Sequence, residues 1–208
     1  MPTEFLISAL VTLLVVVDPV GLAPAFLAVT DGLSAAHRRQ VAMRATVIAA
    51  TILFGVALGG DWLLRELGIT LPAFRIAGGL LLFYIAAEMV LGARIARQTE
   101  TAEQAIEEQV RHIAAFPLAI PLMAGPAAIT ATVLLAGQAG SRLVPFAILI
   151  GVIALVMLGC LVAFLLAGRI AALLGITGNA VLSRLLGVIL AALAVQYVID
   201  GVRAAITG

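Results

Sequence analysis

Asp18 is followed by Pro19, Gly21 and Pro24 inside an otherwise apolar run, and Pro117, Pro121, Gly125 and Pro126 interrupt a second such run. Proline lacks an amide donor and its ring collides with the preceding turn, so neither segment continues as an unbroken α-helix. At about 1.5 Å per residue from Phe5, Asp18 lies about 20 Å into its span, slightly past the middle, where a charge is costly. After the second break the residues are small, which opens the backbone amides at the start of the following half-helix to a ligand. Freed amides at the positive end of a helix dipole suit a carboxylate. The carbonyls that end each first half-helix suit an ammonium group or a coupling cation, proton or sodium. A zwitterionic amino acid presents both charges together. The candidate binding residues are therefore Asp18, Pro19, Gly21, Pro24, Gly125, Pro126, Ala127, Ala128 and Thr130. Against this stands a plain structural role for either break alone: a kink, or a cap in which Asp18 bonds the freed amides. Asp18 is able to do both.

Other polar residues give ion-coupling or gating candidates. Glu88 lies one turn from the end of its span, and Gln196 and Asp200 form an i, i+4 pair on one helix face. Interfacial anchoring and an ion path both fit Glu88 and Asp200. Arg75 and Arg184 stand near the starts of two helices, where each either gates by pairing with a carboxylate or anchors its helix. Thr130 and Thr132 either contact a ligand or bond back to their own helix. Arg44 snorkels from just inside its span. His37 and His112 fall in loops without metal-ligand spacing, so neither a metal nor a cofactor is expected. Cys160 sits alone in an apolar run, without a disulfide partner, and reads as a packing residue.

The elements that must position these residues are membrane spans. Of the 208 residues 63% are hydrophobic and 11% charged, against roughly 25% charged in a soluble domain. The mean hydropathy is +1.22, and a spanning helix needs about 20 apolar residues. Six runs qualify: Phe5 to Val29, Val41 to Leu58, Leu71 to Gly92, Ile113 to Ala136, Leu143 to Ala167 and Asn179 to Gly201. Met1-Pro2-Thr3-Glu4 lacks a basic n-region and the run continues past Asp18, so the first span reads as retained rather than as a signal peptide. The connection from Ala93 to His112 is polar, with Arg and Glu spaced as in a solvated helical linker. With the N-terminus outside, Arg38, Arg39, Arg44, Arg94, Arg97, Arg111, Arg169 and Arg184 fall inside. Arg65, Arg75, Arg142 and Arg203 fall outside, a bias that places both termini outside.

The chain also resembles itself. Phe74-Arg75-Ile76-Ala77-Gly78, continuing to Gly92-Ala93-Arg94, aligns without gaps on Ser183-Arg184-Leu185-Leu186-Gly187, continuing to Gly201-Val202-Arg203. At nearly the same shift, Gly68-Ile69-Thr70 matches Gly175-Ile176-Thr177, and Asp18 to Gly21 faces Gly125 to Ala128. Each half holds three spans, so the second half must lie upside down relative to the first, a transporter signature. The expected architecture is all-α and polytopic. Its six transmembrane helices form two inverted-topology repeats, residues 1–92 and 113–208, joined by a cytoplasmic linker at 93–112, with helices 1 and 4 broken near the midplane.

Several functions fall away on composition. The 12 basic residues, all Arg, balance 11 acidic ones with no basic stripe, which excludes nucleic acid as a partner. The absence of Lys removes Schiff-base and P-loop lysine chemistry. An intramembrane enzyme would need a catalytic set, and no HExxH, deep His or second carboxylate at the depth of Asp18 is present. A channel for a small solute would want a polar face along a span. A membrane binding or assembly protein needs none of these features, but leaves the repeat and paired breaks unexplained.

The chain resembles the MarC family, described as small neutral amino acid transporters and related in fold to the LysE exporter group. The resemblance rests on Asp18-Pro19-Val20-Gly21 through Pro24 and Phe26, Pro72-Ala73-Phe74-Arg75-Ile76-Ala77-Gly78-Gly79, Ile120-Pro121-Leu122 through Gly125-Pro126, and Arg184 through Gly187 to Gln196 and Asp200-Gly201. It implies six helices in two inverted halves, a place in the bacterial inner membrane, and transport of small neutral amino acids of the glycine and alanine type. Two departures stand out. Leu22 occupies a position where the family often has Asn, and Ala127 and Ala128 follow the second-half proline where the family has Gly. The first removes a polar contact and the second narrows the space over the backbone.

Overall fold

The computed structural model describes residues 2–94, 114–140 and 142–207. Among these the chain is entirely helical: α1 (Pro2–Val17), α2 (Leu22–Val29), α3 (Ala35–Glu66), α4 (Leu71–Leu91), α5 (Ala114–Met123, wound as a π-helix), α6 (Pro126–Ala139), α7 (Leu143–Leu165) and α8 (Ala167–Thr207).

Local sequence sets the boundaries. Ser34 caps α3 by accepting from the His37 amide at 3.3 Å, and Thr70 caps α4 by accepting from the Ala73 amide at 3.3 Å. Gly92 ends α4 in the left-handed conformation that glycine adopts freely. Arg142 closes the far end of α6 by donating to the carbonyls of Gln138 and Ala139 at 3.0 and 3.3 Å. Gly175, at φ +58°, breaks α8, and its counterpart in the sequence repeat, Gly68, takes φ +67° between α3 and α4.

Four helical segments are long and apolar enough to cross a bilayer: Ala35–Gly60, Leu71–Leu91, Leu143–Leu165 and Thr177–Ile206. The pair α1 and α2, bent by 40° at the Asp18 break, makes a fifth span when taken together. The expected fourth span is divided into α5 and α6, neither of which has spanning length alone. The polar linker falls almost wholly outside the described residues. The helix α3 runs on beyond both ends of the expected span Val41 to Leu58. Charge ends the apolar run without ending the helix, because Ala, Arg, Gln and Glu are good helix formers.

Between 28 and 44% of the most apolar window in each of the four spans is buried inside the molecule, so much of each apolar helix faces outward, as lipid requires. The core lies where the broken segments meet the long helices, around Leu13, Phe26, Leu82, Leu134, Leu149 and Phe164. Phe26 of α2 stacks on Phe164 of α7 with centroids 4.5 Å apart. Cys160 is buried and unpaired in this core. Antiparallel α4 and α8 pack closely through glycine. A side chain at Gly79 would lie 2.8 Å from the Ala194 carbonyl, and one at Gly187 3.1 Å from the Ala86 carbonyl.

Candidate functional site

The first break is organised by Asp18. Its amide completes the α1 ladder by donating to Leu14 at 2.9 Å. Its backbone then turns left-handed (φ +54°), a conformation that Asp tolerates better than most residues. The turn folds the buried carboxylate back so that Oδ1 accepts from the Gly21 amide at 3.0 Å. A side chain at Gly21 would overlap that carboxylate. The Leu22 amide donates to the Asp18 carbonyl at 3.1 Å, and α2 starts there. Pro24 falls in the first turn of α2, where a missing N–H costs no helical bond, and it is exposed. Asp18 thus bonds the amide of Gly21, the residue before α2, while α2 itself carries no side-chain cap, and Pro19 is buried beside it.

The second break is built differently. The Ala124 amide closes the last π-type turn on Ala119 at 2.8 Å, and Gly125 is then extended (φ −80°, ψ 177°). A side chain at Gly125 would strike the Pro121 carbonyl. Pro126 opens α6, and the first ladder bond runs from the Ile129 amide to the Gly125 carbonyl at 3.0 Å. The amides of Ala127 and Ala128 precede it and have no acceptor within the helix. Thr132 donates to the Ala128 carbonyl at 2.7 Å, so of its two expected roles it takes the back-bonded one. Thr130 is buried, its methyl directed at Gly78 of α4.

Gly125, Pro126, Ala127 and Ala128 line one cavity of about 370 Å³, with Val16 and Tyr84 on its other walls. Into it comes Arg94, which the sequence reading counted among the inner arginines and in the repeat but not as a site residue. Its side chain is 7% exposed. Nη2 donates to the Val16 carbonyl at 2.6 Å and Nη1 to the Met89 sulfur at 2.9 Å. Arg94 also attracts the Asp18 carboxylate electrostatically. The buried cation is therefore compensated by the negative end of α1 and by a carboxylate. One signal pointed to it: Gly92-Ala93-Arg94 recurs as Gly201-Val202-Arg203.

The gating candidates separate into two groups. Arg75, Gln196 and Asp200 line a common cavity, and Gln196 Nε2 donates to Asp200 Oδ1 at 2.8 Å. Glu88 and Arg184 lie at the opposite end of the α4 and α8 pair, Arg184 exposed and Glu88 half-buried. Asp18, Pro19, Gly21 and Pro24 do not line the Arg94 cavity themselves. The first break meets the second through Arg94 and Val16. His37 pairs with Ser34 at 3.0 Å, and His112 lies outside the described residues.

Residues 3–206 match the family model described as MarC family integral membrane protein. A UPF0056 membrane protein of Archaeoglobus fulgidus is 37% identical over 199 residues, 95% of this chain and 92% of that protein. One of Methanocaldococcus jannaschii is 35% identical over 210 residues, covering 99% of this chain and all of its own. The UPF0056 membrane protein YhcE of Escherichia coli is 34% identical over 200 residues, 94% and 91% of the two chains. No solved structure matches the chain.

Proposed function

Since the chain belongs to the MarC family of integral membrane proteins, we propose that it is a secondary transporter of small neutral amino acids, a carrier rather than an enzyme, working by alternating access. The observation that carries this reading is the buried Arg94 guanidinium in one cavity with the uncapped amides of Ala127 and Ala128. Arginine and helix N-terminal amides together hold a carboxylate by charge-assisted hydrogen bonds. Asp18, outside the cavity lining, supplies the negative charge for coupling to a proton or sodium ion. Ala127 and Ala128 restrict the space above the amides, which selects for a small side chain.

Access alternates because one guanidinium serves both breaks. A ligand carboxylate competes with the Val16 carbonyl for the donors of Arg94 and with Asp18 for its charge, so binding at α6 loosens the tie that holds the end of α1. A ligand moves an equilibrium only through such differential contacts.

The six-span inverted repeat completes the proposal, with α1 and α2 answering α5 and α6, α3 answering α7, and α4 answering α8. Three features support it. Gly68 and Gly175 share a positive φ at matched positions. The matched helices α4 and α8 run antiparallel. Their repeat residues contact reciprocally, Arg75 against Gly201 and Arg184 against Gly92. In this arrangement both termini are outside the bacterial inner membrane and the Arg94 cavity belongs to the inner half.

Counterflow tests the reading. Proteoliposomes loaded with unlabelled alanine should accumulate labelled alanine, and Arg94→Gln or Ala128→Leu should abolish it. Absence of exchange with glycine, alanine and serine in folded wild-type protein would overturn it.

A further inference from the structure

At the end of the bundle remote from Arg94 lies a second polar chamber, of about 330 Å³. Ser8, Arg75, Gln138, Gln196, Tyr197 and Asp200, from four different helices, line it. Ser8 and Gln138 also line an adjoining cavity of about 630 Å³ beside Arg142. Gln196 and Asp200 satisfy each other in part, whereas other polar groups around the 330 Å³ chamber stay open. The buried Tyr197 hydroxyl lies beside Thr12, Ser8 and Gln138, yet neither it nor the buried Thr12 hydroxyl completes a hydrogen bond of normal geometry. Arg75 Nε is likewise buried without a partner. Apolar helices that spend this many polar side chains at one point, and leave buried donors open, call for an occupant that completes the bonds.

The chamber's chemistry identifies the class of occupant. Arg75 and the Tyr197 hydroxyl are donors suited to a carboxylate. Asp200, held by Gln196 through Oδ1, and the Gln138 amide oxygen are acceptors suited to an ammonium group. A separate anion would face Asp200, and a separate metal cation would face Arg75. A zwitterion satisfies both. We propose that this chamber is a second binding site for a small zwitterionic amino acid, so that the chain holds two such molecules at once, one on each side of a closed septum. The inference rests on the transport reading above. The septum is short: Ser8 at the chamber and Val16 at the Arg94 cavity are eight residues apart on α1, about 12 Å. Buried Leu13, Leu82 and Leu134 contribute to the core between the two ends.

The test is equilibrium binding of labelled alanine to the purified full-length protein in detergent micelles, with stoichiometry as the readout. Wild type should bind two alanines per chain. Arg75→Gln should bind one, with at least a tenfold loss of affinity at the other site, and Arg94→Gln should lose the complementary site. The double variant Thr12→Val, Tyr197→Phe guards against misfolding, because removing open buried hydroxyls leaves packing intact; it too should bind one. A single alanine per chain, lost in Arg94→Gln and unchanged in Arg75→Gln and the double variant, would overturn the second site and leave the transport reading standing. No binding to folded wild type would overturn both.

Discussion

The Arg94 guanidinium donates a 2.6 Å hydrogen bond to the carbonyl of Val16, 78 residues earlier in the chain. Val16 is in the last turn of α1, where carbonyls run out of helical partners, and a cation there also meets the negative end of the dipole. A residue at the mouth of the central linker thereby fixes the first break while facing the second. Replacing it with Gln should cost about 1.5–3 kcal/mol of stability, the range for a hydrogen bond from a charged group. Arg94→Lys should fold better than Arg94→Gln but bind alanine poorly, since a point charge cannot divide its donors in a planar fork. Thermal unfolding in detergent, paired with alanine binding, measures both. Full binding in Arg94→Lys would show that only the charge matters.

Asp18 is bound to its own turn, which separates its structural contribution from any coupling. Asn also tolerates a positive φ and its carbonyl oxygen can accept from the Gly21 amide. Asp18→Asn should therefore remain folded yet lose the pH or sodium dependence of alanine flux. Asp18→Ala loses the bond to the Gly21 amide and strains the turn, and should be less stable than Asp18→Asn by about 1–2 kcal/mol. Flux measured against pH and against sodium in proteoliposomes decides. Identical profiles for wild type and Asp18→Asn would remove the carboxylate from coupling.

Both breaks and four of the long spans were legible because proline and hydropathy act locally: Pro19 and Pro126 stop helices whatever surrounds them. The clustering of Arg75, Gln196 and Asp200 was half legible, since Gln196 and Asp200 are i, i+4 neighbours while Arg75 joins them only through the antiparallel packing of α4 on α8. Arg94 was not legible as a site residue. It stands at the start of the charged linker, and what gives it meaning is the carbonyl of Val16, a partner with no side-chain signature. Ser8, Gln138 and Tyr197 escaped for the same reason: they come from three different helices, and only tertiary packing assembles them.

Glycine at each break answers to crowding rather than to unusual dihedral angles. Gly21 has helical angles and Gly125 extended ones, both open to any residue, so alanine at either position pays only for the clash. At Gly21 the obstacle is the Asp18 carboxylate, which can swing aside by giving up its bond; at Gly125 it is the Pro121 carbonyl, which cannot move without the backbone. Gly125→Ala should therefore destabilise more than Gly21→Ala, both within about 1–3 kcal/mol. Gly59→Ala, where nothing lies within 4 Å, should gain about 0.5–1 kcal/mol from helix propensity. Thermal melting of the three variants in one detergent gives the order, and equal melting of Gly125→Ala and Gly59→Ala would contradict the tight break.

The proposed orientation rests on where the arginines cluster. Arg38, at the start of α3, donates to the Thr30 carbonyl at 3.4 Å and so holds the junction of the first two spans on the side proposed to be inner. Arg142, at the junction of α6 and α7, caps carbonyls on the opposite side. With the N-terminus outside and six spans, the C-terminus must be outside as well. A reporter active only in the periplasm, fused after Gly208, should be active, whereas one fused at Ser34 should be silent. Moving Arg38 and Arg39 to neutral residues should weaken that preference, because the positive charge of short inner loops sets orientation. Activity at Ser34 together with silence at Gly208 would invert the arrangement, moving the Arg94 cavity to the outer half and the Arg75 chamber to the inner one.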